Sequence, residues 1–116
     1  MKKKKTNLND GYATVYVVKK KKTDFNAEVT AKAKEDLMFL MEMAYQEQYK
    51  RDQDYEFAES TRHSLSMKIK MRLCDEIKKE HKIVIDGVLY NPFKIDFAKD
   101  DRCMYLYLEE ERKIAE

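Results

Sequence analysis

The stretch from Thr61 to Glu111, TRHSLSMKIKMRLCDEIKKEHKIVIDGVLYNPFKIDFAKDDRCMYLYLEEE, constrains the fold of this chain more than any other part of it. Leu65, Met67, Ile69 and Met71 are interleaved with Ser66, Lys68, Lys70 and Arg72. Successive side chains of a strand point to opposite faces, so this period of two sends the first set to a core and the second to solvent. KIVIDGVLY follows, with Asp86-Gly87 between two apolar runs. A type I′ turn requires positive φ at both central residues, and an Asp-Gly pair supplies it, so a hairpin is expected there. Phe93, Ile95 and Phe97 alternate next. An AKDD turn then leads to Met104, Leu106 and Leu108, which alternate with Cys103, Tyr105 and Tyr107. The expectation for 61–111 is an antiparallel meander with one buried face. Ile69 and Ile85 belong to its core, and Lys68 and Lys70 face solvent.

The N-terminal half is less regular. Tyr12–Val18, YATVYVV, is rich in β-branched and aromatic residues and reads as a strand. Lys19–Lys22 ends it, because four adjacent like charges repel. The polar stretch Thr23–Asp36 has local helix propensity through its Ala and Lys residues. Leu37–Tyr49 fits two periods: Leu37, Leu40, Met41 and Ala44 share a helical face, while Phe39, Met41, Met43 and Tyr45 alternate as in a strand. Asp52–Thr61 can form a short helix, with Asp52 as N-cap and Tyr55, Phe57 and Ala58 as a thin apolar face. Leu73–Lys82 is a charged connector with Ile77 as its one buried anchor.

At 116 residues this is a single domain, 1–116, with a modest core. No run is long and apolar enough to span a membrane. The basic Met1–Lys5 is followed by no apolar h-region, so it does not read as a secretory signal. Charge is unevenly placed. Residues 1–34 carry ten lysines against three acids, whereas 35–116 carry fourteen basic against nineteen acidic groups. Positive charge therefore concentrates in a mobile leader over 1–10 and in the segment 19–36, above a mildly acidic body. Such separation suits head-to-tail stacking of subunits, or a basic element facing an anion such as DNA.

No catalytic, cofactor-binding or metal-binding set stands out. His63 and His81 lie in polar segments and read as titrating surface groups. Zinc would need two further soft ligands converging on them. Cys74 and Cys103 lack CxxC spacing and read as free thiols, with a disulfide as the open alternative. No phosphate-cradling glycine pattern occurs, which removes the usual nucleotide loops. The aromatic set Tyr12, Tyr16, Tyr105, Tyr107, Phe93 and Phe97 sits at alternate strand positions. Cross-strand packing or a subunit interface is the favoured role for it, over stacking on bases.

The order of elements resembles a known family. The segments SMKIKMR, EIKKEHKIVIDGVLYNPFKID and RCMYLYLEEE are similar to those of the head-closure, or head–tail joining, proteins of long-tailed bacteriophages and prophages. The resemblance covers the C-terminal half and extends by layout to the rest, placing Met43-Ala44-Tyr45 where the family carries a Trp-Ala pair. It implies that 37–49 is a strand and that 19–36 is a long loop between the first two strands. The fold expected is all-β: a small antiparallel barrel or sandwich with that loop and one short helix.

The function the resemblance implies is structural, not enzymatic. It is a virion neck protein assembled in the bacterial cytoplasm, forming a dodecameric or hexameric ring. A portal or adaptor protein lies above it, a tail-terminator or tail-completion protein below, and packaged double-stranded DNA in its channel. Lys19, Lys20, Lys21, Lys22, Lys32 and Lys34 are the candidate channel-facing residues, and Asp86 and Gly87 the structural turn. The alternative from another class is a small β-barrel that binds single-stranded nucleic acid through the lysine-rich loop and tyrosine faces.

Overall fold

The alternating segments become strands, and six of them close on themselves. In the computed structural model, residues 8–18, 21–22, 28–29 and 37–114 are described. The strands are β1 (Gly11–Val18), β2 (Lys21–Lys22), β3 (Glu28–Val29), β4 (Leu37–Glu47), β5 (Met67–Arg72), β6 (Lys82–Ile85), β7 (Val88–Ala98) and β8 (Cys103–Lys113). One α-helix, α1 (Asp52–Ser60), joins β4 to β5. The barrel runs β1-β4-β5-β8-β7-β6 and closes between β6 and β1. All neighbours are antiparallel. β2 and β3 form a separate two-stranded sheet.

The interior is filled as the alternation requires. Val15, Ile69, Met71, Ile83, Met104 and Leu106 are wholly buried in one cluster, with Ile85 beside them. Leu37–Glu47 is a strand, so period two prevails there over helix propensity. Its alternation inverts once. Val15 pairs with Met41 but Tyr16 pairs with Phe39, which leaves Leu40 as an extra, bulged residue. Met41 and Met43 therefore pack against the core, while Phe39 on the far side of the bulge is exposed.

A second bulge corrects the expectation that Phe93 shares a face with Ile95 and Phe97. Leu108 pairs with Pro92 and Tyr107 with Lys94, so Phe93 is the extra residue. Proline has no N–H to give to a ladder, and a bulge is one of the few places a strand accepts it. Ile95 packs on the barrel core, Phe93 turns to the outer side, and Phe97 is exposed. The single buried face expected for the meander is also corrected. Tyr107 is as buried as its inward-facing neighbours, because α1 lies over the outside of the barrel. Ala58, Leu65, Phe93 and Tyr107 form that outer cluster, so Leu65 leaves the inner set to which alternation assigned it.

The Asp86-Gly87 hairpin is formed, with Ile85 opposite Val88. Both turn residues have positive φ, 50° at Asp86 and 75° at Gly87, as a type I′ turn demands. A Cβ at Gly87 would meet nothing within 4 Å, so crowding is not what selects glycine there. The backbone is. Gly87→Val places a β-branched residue in a left-handed conformation and should cost about 1–3 kcal/mol. A denaturant midpoint equal to the parent's would show that the turn relaxes freely.

Two smaller expectations change. The N-cap of α1 is Arg51, not Asp52, and the backbone N–H of Arg51 donates to Asp54 Oδ2 at 2.9 Å. In the connector, Ile77 is buried, but so is His81, which was expected on the surface. The N–H of Lys78 donates to His81 Nδ1 at 3.1 Å and closes the turn there.

Candidate functional site

The segment singled out by charge enters and leaves the barrel at one place. Val18, the last residue of β1, is paired with Leu37, the first of β4. Everything between them is an insertion into a hairpin of the barrel. Lys21 and Lys22 lie in β2, opposite Val29 and Glu28 of β3. What was expected as a plain loop therefore contains an antiparallel ladder. Lys19, Lys20, Lys32 and Lys34, like most of the 1–10 leader, lie outside the described residues.

Strand registers divide the barrel into two ends. The insertion lies toward the same end as Lys82, Arg72 and the Lys99–Asp101 turn, because Tyr16 pairs with Lys82 and both Arg72 and Ala98 pair with Cys103. Gly11, Glu47, the Asp86-Gly87 turn and Lys113 mark the opposite end. That second end carries charges of both signs, Asp10, Glu47, Asp86 and Glu110 beside Arg112 and Lys113.

A second concentration of charged groups lies under α1. Asp54 is only 2% exposed. Its Oδ1 meets Arg51 Nη2 at 3.0 Å and its Oδ2 meets Lys68 Nζ at 3.0 Å. Burial works against the carboxylate, but the hydrogen bonds from Arg51 and Lys68 and the charge of Lys68 outweigh it. Asp54 is therefore held well below the usual carboxylate range. Lys68, expected in solvent, is 7% exposed. Its ammonium lies 5.0 Å from the centre of the Tyr107 ring and 5.7 Å from that of Tyr105. Tyr107 donates its hydroxyl to Asp96 Oδ2 at 3.0 Å. Burial first, then that bond and the charge of Asp96, push the phenol well above its ordinary value.

Nearby, His63 Nδ1 lies 3.0 Å from Glu109 Oε1, and its ring stacks on Phe93 at 4.7 Å. The His63 bond comes first among the influences that lower the Glu109 carboxyl, against the cost of its burial, with the Ser64 N–H adding to it. His63 is thus a paired, packed group where a free surface histidine was expected.

These groups clamp a helix to a barrel. Asp54 is saturated by cations and Tyr107 keeps its proton, so neither is poised to exchange one near neutral pH. Among the described residues no three His, Cys, Asp or Glu side chains converge as a metal site. Cys74 and Cys103 are both free thiols. Among the described residues no helix is long and apolar enough to cross a membrane. The Asp54–Lys68 clamp was not legible in the sequence. Its partners come from separate elements, and the only local signal was an acid at the third position of a short helix.

The chain matches no protein-family model and no curated protein.

Proposed function

We propose that this chain is a neck subunit of a long-tailed bacteriophage. In this reading it forms a ring beneath the portal or adaptor, closes the DNA channel after packaging, and presents a platform for the tail. The observation that carries the reading is the basic insertion between paired neighbours β1 and β4. Both its ends sit in one hairpin, so it can extend from the barrel without disturbing it. In a ring, identical insertions converge near the axis, where Lys19–Lys22, Lys32 and Lys34 meet DNA phosphate. The order of strands in 61–111 also supports it. No covalent chemistry is needed. Symmetry repeats each contact around the ring, so individually weak interfaces add up.

Shortening Lys20–Lys34 to a tight turn tests this. The expected result is a folded subunit that docks on connectors but loses packaged DNA. Retention of DNA by particles carrying the shortened subunit would end the channel role.

A further inference from the structure

Outside the insertion, one outer face of the barrel carries more cations than the two acids beside them, Asp54 and Asp96, neutralise. Ile69 and Met71 point inward, so Lys68, Lys70 and Arg72 of β5 point outward. Register sets Lys68 opposite Tyr107 and Lys70 opposite Tyr105 on β8. Lys94 of β7 flanks Tyr107 from the other side. The ammonium groups lie over the rings: Lys70 is 6.0 Å from the centre of Tyr105, and Lys94 is 4.8 Å from that of Tyr107. This basic surface stands on a body, residues 35–116, in which nineteen acids outnumber fourteen bases.

Helix α1 covers the row built on Tyr107 and leaves the row built on Tyr105 open. There a cleft of about 500 Å³ is lined by Tyr49, Arg51, Lys68, Asp96, Tyr105 and Tyr107 among others. That volume falls within the roughly 300–1,000 Å³ of small-ligand sites. Tyr49 is 86% exposed and Phe97 45% exposed, so aromatic surface is present that the described residues leave uncovered. The occupant must use both features. An acidic peptide would satisfy the cations and leave the rings bare. A duplex would offer phosphates but keep its bases stacked on each other. A single strand offers both a backbone of phosphates and unpaired bases with free faces.

We propose that this face binds single-stranded nucleic acid, with a base stacked on Tyr105 in the cleft and an adjoining phosphate on Lys70. This site is separate from the insertion and does not depend on the neck reading.

The test is a titration of the full-length protein with a labelled oligothymidine, followed by anisotropy. The lysine-rich leader attracts any polyanion, so the readout has to report on the cleft. The chain has no tryptophan, and a Tyr105→Trp variant therefore carries a single reporter. Its fluorescence should be quenched by the oligonucleotide and not by a duplex of equal length. Tyr105→Ala should weaken binding about tenfold, within the stacking range, while Tyr105→Phe binds as the parent does. Lys70→Ala should reduce the slope of log affinity against log salt by about one. Circular dichroism melts confirm that the variants fold. Equal affinity of Tyr105→Ala and parent, or equal quenching by duplex, would overturn the assignment. Displacement of the oligonucleotide by polyglutamate at equal charge concentration would assign the face to an acidic protein instead.

Discussion

Lys68→Ala will destabilise the protein by about 3 kcal/mol, although the residue occupies a position where alternation expects a solvent-facing lysine. Its ammonium is 3.0 Å from a carboxylate that is 2% exposed. Removing the cation leaves Asp54 buried with Arg51 alone, through its backbone N–H and a guanidinium whose side chain is 56% exposed. The large term is the stranded charge and not the lost contact. Hence Lys68→Met combined with Asp54→Leu should recover most of the loss, because the pair is removed together. The same clamp sets an acid limit. The folded carboxyl of Asp54 lies below its unfolded value, so in acid the unfolded chain binds the extra proton. The stabilisation is complete above about pH 4, the unfolded carboxylate range, and drains away as pH falls toward the folded value. Glu109 acts with the same sign. Urea unfolding of parent and Asp54→Asn, compared at pH 7 and pH 3, reads this directly. The gap between the two should narrow at the lower pH. A gap that stays constant, or a loss below about 0.5 kcal/mol for Lys68→Ala, the ordinary scale of a surface change, would mean that the lysine is in water.

Ile69→Ala will cost about 2–5 kcal/mol. Ile69 is wholly buried and lies on β5, opposite Leu106 of β8, itself wholly buried. Truncation removes apolar contacts and leaves a cavity that closed strands on either side cannot collapse to fill. Ile85, at the strand end beside the turn, is nearly as buried and should fall in the lower part of the same range. The denaturant midpoint should fall with the m-value unchanged, since the cavity alters stability and not the extent of unfolding. A loss for Ile69→Ala no larger than that of a surface substitution would reverse the facing assigned to β5.

Period-two alternation determined the strands of 61–111 but left Leu37–Tyr49 open between helix and strand, and the Asp86-Gly87 pair determined where the hairpin turns. Both are local: side-chain direction along a strand and φ at a turn depend on neighbouring residues alone. The separation of basic leader and insertion from acidic body was also written in the order of charges. Three things were decided only in the tertiary structure. The bulges at Leu40 and Phe93 invert alternation within β4 and β7, because a partner strand, not the strand itself, determines the register. Helix α1 lies across the outer face of β8 and β7 and buries Tyr107 and Phe93, which a one-faced pattern sends to solvent. Lys68 and Asp54 meet across that helix–barrel contact, and only there does an exposed-looking lysine become a buried partner. Alternation specifies a face but not what covers it, and the covering element comes from a distant part of the chain.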